Sequence, residues 1–213
     1  VTATLADIVT INLAGDCGNG CEAFAAPLHA QLASGRYDVC SLLDLPDSID
    51  EWRAEHRTAR KRADRSMRLG YRFGTVQPHL HADDIYEINT SLDERQGRPM
   101  SDSYRNRQTY TPDQPYPCPQ HAVRRYGVFT GRRLVAYLWL YRAGDMGLVS
   151  SILGHGEHLR SDVMWLLVAG TVEREIDHGG FLVYNRHDSG TDGLRYFKER
   201  LGFRPSRVEW RLH

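Results

Sequence analysis

Short apolar runs recur along this chain between glycine-bearing or polar breaks, and their spacing predicts its elements. Asp7 to Leu13 reads as a strand, Gly15 to Gly20 as a turn, and Glu22 to Ala33 as a helix ending before Gly35. Tyr37 to Leu45, carrying Val39, Leu42, Leu43 and Leu45, reads as a second strand. Ser48 followed by Glu51 is a capping box, in which each side chain satisfies an orphan amide of the first turn. The helix it opens is predicted to reach Leu69 and stop at Gly70, with Trp52, Ala59, Ala63 and Met67 near one face.

Tyr71 to Val76 then predicts a strand and Ala82 to Leu92 a helix. Asp93 to Gln120 holds five prolines and little periodicity, so a long loop is expected, of the kind used as a lid or binding loop. Ala122 to Thr130, Arg133 to Arg142 and Met146 to Leu153 are strand-like, and Gly131 and Gly144 between them predict antiparallel hairpins. Leu159 to His178 reads as a helix closed by Gly179, Phe181 to Asn185 as a strand, Asp192 to Leu201 as a helix, and Arg204 to Leu212 as a final strand. The predicted class is α/β, an α+β mixed sheet with helices on its faces. Residues 1–70 would form a βαβα extension ending in a basic helix, and residues 71–213 the core. Neither GxxxxGK[ST] nor GxGxxG occurs, so the common phosphate loops are not expected.

The 213 residues, 41% hydrophobic and 25% charged, suit one domain or a core with a small extension. Lys+Arg and Asp+Glu both number 27, but the balance is uneven. Residues 1–50 hold seven acids and one base, whereas Glu51 to Phe73 holds eight bases and three acids. No apolar run approaches the ~20 residues that span a bilayer, and no signal-like start is visible, so a cytoplasmic protein is expected. Cys17 and Cys21 have a CxxxC spacing, with His29 and Cys40 following. Structural zinc sites usually use tighter pairs, so reduced, partly buried thiols and no metal are expected.

The element order and the ending "GLRYFKERLGFRP" resemble the GNAT acyltransferase superfamily, in which the penultimate helix runs into a Gly-Phe turn before the last strands. "RTARKRADRSMRLGY" (Arg57 to Tyr71) and "FKERLGF" (Phe197 to Phe203) are similar to segments of its Fem-type branch, and the resemblance covers roughly Ser48 to His213. It implies a GNAT-like acyltransferase fold with an N-terminal βαβα extension. The implied activity is transfer of an aminoacyl group from aminoacyl-tRNA to an amine of a small molecule or peptide. An acyl group from a coenzyme A thioester is the alternative donor, and a non-catalytic RNA-binding module the alternative from another class. No bound cofactor is implied. Coenzyme-A-dependent members carry an R/Q-x-x-G-x-G/A loop, whose amides hold pyrophosphate at a helix N-terminus. The matching stretch, Leu153 to Asp162, has Gly154 and Gly156 without the leading Arg or Gln.

Amide formation needs a neutral amine, a stabilised oxyanion and a compensated leaving group. The resemblance assigns Lys198 to face the reacting centre and stabilise developing negative charge; alone, it would read as a solvated helix lysine. Tyr196 lies on another face and reads as packing. Amides around Gly154 and Gly156 would serve an oxyanion or a phosphate, His155 would be the general base, and Glu157 would replace it only if buried. The alternative is a plain glycine turn entering a helix, with Glu157 favoured there by the dipole. Arg57, Arg60 and Lys61 would contact tRNA phosphates, or form a solvated face. In the loop, Arg98, Tyr104 and Arg105 would clamp an anionic or aromatic acceptor. "YLWLY" (Tyr137 to Tyr141) reads as sheet packing.

Overall fold

The alternating segments of this chain become the strands of one eight-stranded mixed sheet. The computed structural model describes residues 8–15, 17, 21–35, 39–112, 118–186 and 190–213. In chain order these give β1 (Val9–Leu13), α1 (Glu22–Leu32), β2 (Val39–Asp44), α2 (Ile49–Glu55), α3 (Arg57–Arg68), β3 (Tyr71–Thr75) and α4 (Ala82–Thr90). A two-stranded ribbon, β4 (Glu94–Arg95) and β5 (Arg98–Pro99), lies in the long loop. Then follow β6 (His121–Thr130), β7 (Arg133–Ala143), β8 (Met146–Gly154), α5 (Val163–Glu175), β9 (Phe181–Arg186), α6 (Asp192–Arg200) and β10 (Arg204–Leu212). Most of the turn expected at Gly15 to Gly20, and Tyr37 of the second strand, fall outside the described residues. Among the described residues no helix is long and apolar enough to cross a membrane.

The sheet order is β1-β10-β2-β9-β8-β7-β6-β3. The strands of the first seventy residues are part of this sheet, because β2 sits between β10 and β9 and β1 runs parallel to the end of β10. Gly131 and Gly144, both at positive φ, close the antiparallel turns that join β6 to β7 and β7 to β8. On β7, Leu138 and Leu140 enter the main core while Tyr137 and Trp139 face α4, the alternation expected of sheet packing.

The single helix expected from Ser48 to Leu69 is two helices. Ser48 Oγ accepts the Glu51 amide at 3.2 Å, as the capping box requires, but the helix breaks at His56 (φ −101°, ψ 55°). The break lies against the turn after α6: a Cβ on Gly202 would lie 2.6 Å from the His56 ring. Trp52 is buried on α2, where its indole N–H donates to the Leu201 carbonyl at 3.1 Å. On α3 the buried stripe is Ala59, Ala63 and Ser66, and Met67 is 46% exposed instead of facing the core. These small residues let α3 lie against α5. The expected Leu159–His178 helix begins later, at Val163, after a 3₁₀ segment from Gly156 to Ser161.

Inside the main core sits a fully buried carboxylate, Glu175. It accepts a hydrogen bond from Tyr126 Oη at 2.5 Å and pairs with Arg142 at 3.3 Å and Arg124 at 3.5 Å. Arg142 also donates to the Gly179 carbonyl at 2.6 Å. Removing one member of a buried ion pair strands its partner. Glu175→Ala is expected to lower the unfolding free energy by about 3–5 kcal/mol, measured by urea denaturation.

Candidate active site

Hydrogen bonding between the parallel strands β8 and β9 is confined to the pairs Met146–Phe181, Gly147–Leu182 and Leu148–Val183. Beyond them β8 continues to Gly154 on β7, and β9 continues beside β2. The strands diverge, and the opening holds a cleft of about 340 Å³. Ile152, Leu153 and Gly154 form one wall, Tyr184, Leu194 and Phe197 the other, and Leu92, Glu94, Arg95 and Gln96 lie over it from the long loop.

Arg95 fixes that loop to the open strand. Its Nη1 donates to the Gly154 carbonyl at 2.8 Å, and Nη2 donates to the Ile88 carbonyl at 2.8 Å and to Ser91 Oγ at 3.0 Å. Burial pulls its pKa below the usual guanidinium range. The residues proposed from sequence to clamp an acceptor lie elsewhere. Arg98 is exposed on β5, Arg105 pairs with Asp93 at 3.0 Å, and Tyr104 packs beneath the loop against the core beside α4. Arg95 was missed because its anchor, Gly154, is remote in sequence.

Lys198 is 0% exposed, which excludes the solvated-lysine reading. Its backbone is set by the end of α6. Phe203 N–H donates to the Lys198 carbonyl and Gly202 N–H to the Glu199 carbonyl, each at 3.0 Å, with Gly202 at φ +96°. That is a Schellman cap, and the "LGF" ending is its signature. The Lys198 ammonium lies 4.9 Å from the centre of the Tyr184 ring. Lys198 therefore stands behind the cleft wall that Tyr184 and Phe197 present, and burial holds the Tyr184 phenol above its usual pKa. Tyr196 is 44% exposed, and the Arg200 guanidinium stacks over its ring.

The amides expected to be open around Gly154 and Gly156 are engaged. His155 N–H donates to the Val135 carbonyl at 2.8 Å, Gly156 N–H to Ser91 Oγ at 3.0 Å, Glu157 N–H to His155 Nδ1 at 3.3 Å, and His158 N–H to the His155 carbonyl at 3.0 Å. Both glycines are needed for close packing: a Cβ would meet Met164 Sδ at 2.6 Å from Gly154 and Leu92 at 2.9 Å from Gly156. Glu157 is exposed, so it lacks the burial that a carboxylate base requires.

His158 contributes what sequence reasoning did not assign. Its Nδ1 hydrogen-bonds Tyr71 Oη at 2.8 Å, and its Nε2 is buried with no hydrogen-bond partner among the described residues. Polar ligand atoms of His155, Glu157 and His158 lie within 4.8 Å of one another in the turn that joins Gly154 to Leu159, and none of the three lines the cleft. Burial is the chief cause that lowers the His158 pKa, with His155 and Arg133 adding to it.

Of the basic helix, Arg57 and Lys61 are exposed, and Arg60 borders a small separate pocket beside Trp52 and Glu173. None of the three lines the cleft. The arginines that reach the start of α5 are Arg62 and Arg65, which hold the buried carboxylate of Asp162 at 2.9 and 2.7 Å.

Known proteins share this arrangement as a fold. The chain is similar to FemX (TM-score 0.60, 10% identity, covering 80% of this chain and 60% of that one). It is also similar to the C-terminal domain (DUF2156) of an Agrobacterium fabrum protein assigned as a lysylphosphatidylglycerol synthetase (TM-score 0.55, 11% identity, covering 79% and 57%). A conserved Bacteroides thetaiotaomicron protein of unknown function aligns with a TM-score of 0.50 and 12% identity, covering 83% and 61%. The chain thus spans about three fifths of the length of each. No family model matches the sequence, and no curated protein matches it. Over most of its length the chain shares its fold with FemX and with the DUF2156 domain.

His56, His158 and His178 are all held below the ordinary imidazole pKa, chiefly by burial. Each binds fewer protons folded than unfolded, so its contribution is complete above the unfolded pKa of about 6.5 and is lost as pH falls through the lower folded value. The unfolding free energy is expected to drop between about pH 7 and pH 5, and His158→Gln to flatten that slope. Urea titrations across this range measure both.

Proposed function

We propose that this protein is an N-acyltransferase that moves an aminoacyl group from aminoacyl-tRNA to an amine of a small molecule or peptide. The observation that carries the reading is the cleft between the diverging strands, backed by the buried ammonium of Lys198. The choice of donor is supported by the amides from His155 to His158, which serve the protein's own acceptors. Coenzyme-A-dependent members of the fold spend the matching amides on pyrophosphate.

In this reading the acceptor nitrogen attacks the ester carbonyl and a C–N bond forms. The amine proton passes to an imidazole of the turn that follows Gly154, His155 or His158, because a neutral imidazole accepts a proton near neutral pH. Negative charge gathers on the carbonyl oxygen, beside the neutral Tyr184 phenol and within the field of Lys198. The C–O ester bond then breaks, and the ribose oxygen leaves with the proton that this imidazole returns. Arg95 keeps the loop over the cleft, limiting water, which would otherwise hydrolyse the ester.

The test supplies a radiolabelled amino acid as charged tRNA, or an acyl group as its coenzyme A thioester, with a panel of amines. Amide product from charged tRNA, abolished by ribonuclease, is expected. Product from the thioester with none from charged tRNA would overturn the choice of donor. Lys198→Met, checked for folding by circular dichroism, is expected to lower kcat about 10²–10³-fold. Unchanged turnover would remove Lys198 from the chemistry.

A further inference from the structure

Away from the cleft, two segments separated by nearly a hundred residues bring four ligand-type side chains together. Cys17 and Cys21 lie between β1 and the start of α1, and Cys118 and His121 lie where the long loop enters β6. The sulfur and nitrogen atoms of all four lie within 4.8 Å of one another. Cys21 Sγ is 3.4 Å from Cys118 Sγ, and Cys118 Sγ is 3.0 Å from His121 Nδ1. A tetrahedral zinc ion with Zn–S near 2.3 Å and Zn–N near 2.0 Å has S···S edges of about 3.8 Å and S···N edges of about 3.5 Å. These two spacings, 3.4 and 3.0 Å, fall slightly inside those edges, and every other pair among the four atoms lies within 4.8 Å.

The imidazole is already oriented for a metal. His121 Nε2 lies 2.6 Å from the Ala14 carbonyl, which only accepts, so Nε2 carries the proton and the Nδ1 lone pair faces the sulfurs. A backbone carbonyl on the far ring nitrogen is the usual outer partner of a metal-bound histidine. Backbone bonds bring the two segments to a common place. The β7–β8 turn donates from Gly144 N–H to the Gln120 carbonyl and from Asp145 N–H to the Asn12 carbonyl, both at 3.0 Å. Cys21 and His121 are buried, while Cys17 and Cys118 are half-buried, which leaves an entry path.

We infer that Cys17, Cys21, Cys118 and His121 form a closed zinc site that ties the chain before α1 to the C-terminal root of the long loop. Three thiolates and one imidazole complete a tetrahedron with no position open to water, so the ion is structural. This corrects the sequence reading in two ways. CxxxC is half of a site, and the other half is neither His29, which bonds the Trp210 carbonyl at 3.3 Å, nor Cys40, buried in the core under β1 and β10. Its partner is Cys118-x-x-His121, a tighter pair whose proximity only the fold creates.

The test is elemental analysis of the purified full chain by inductively coupled plasma mass spectrometry, with Tm measured before and after chelation. About one zinc per chain is expected, lost from Cys21→Ser and from Cys118→Ser and kept in Cys40→Ala, with chelation lowering Tm by roughly 5 °C or more. Zinc-free protein whose Tm does not rise on adding zinc would overturn the inference. So would a Cys21–Cys118 disulfide found by non-reducing mass spectrometry, or stoichiometric iron in place of zinc. Zinc that survives both cysteine variants and departs with His155→Ala and His158→Ala would place the ion beside the cleft and equally defeat it.

Discussion

Once β8 and β9 part after Leu148 and Val183, the backbone edges they turn toward each other need partners other than a neighbouring strand. The sequence supplies those partners from three directions. Arg95 reaches the Gly154 carbonyl from the long loop, Ser91 accepts the Gly156 amide, and α6 brings Leu194 and Phe197 against the gap. Arg95 and Ser91 are side-chain solutions to a backbone problem, Leu194 and Phe197 add an apolar wall, and together they define the cleft. Gly154 and Gly156 belong to the same constraint, since the walls press on them too closely for a Cβ.

Two buried charges are held in different ways. Glu175 is answered on every side by Arg142, Arg124 and Tyr126, so it fixes β6 and β7 against α5. Lys198 is held differently. Its carbonyl is locked by the α6 cap, and its ammonium meets the face of Tyr184, an interaction on the order of 2 kcal/mol when desolvated. A cation placed against a cleft wall biases whatever develops charge in that cleft, because fields carry further where water is excluded.

What could be read from the sequence was local. The Ser48–Glu51 cap, the left-handed glycines at 70, 131, 144 and 202, and the alternation of β7 all act within a few residues, and each is found in place. What escaped depends on distant chain. His56, where the helix breaks, packs against Gly202, the long loop is anchored by Arg95 to Gly154, and Cys17 and Cys21 lie beside Cys118 and His121 instead of their nearer neighbours. Met67 illustrates a smaller failure. A stripe read as 59, 63 and 67 drifts around the helix, and the next buried position on α3 is Ser66. Lys198 was singled out only through the resemblance of "FKERLGF" to the Fem-type branch; its burial was not legible, since nothing local distinguishes it from a surface lysine.

The start of α5 bears most directly on which donor the cleft accepts. A helix N-terminus ordinarily attracts an anion through its dipole and its unpaired amides. Here Asp162 stands at that position at φ +60°, and its buried carboxylate is gripped by Arg62 and Arg65 from α3. The dipole, the carboxylate and the two guanidinium groups already balance one another. A pyrophosphate brought to the same place would meet that carboxylate and compete with it for both arginines. Arg57 and Lys61, by contrast, remain exposed on α3, outside the cleft. In the function proposed above, those cations meet the phosphates of a polyanion that lies across the surface and delivers only its acylated end to the cleft.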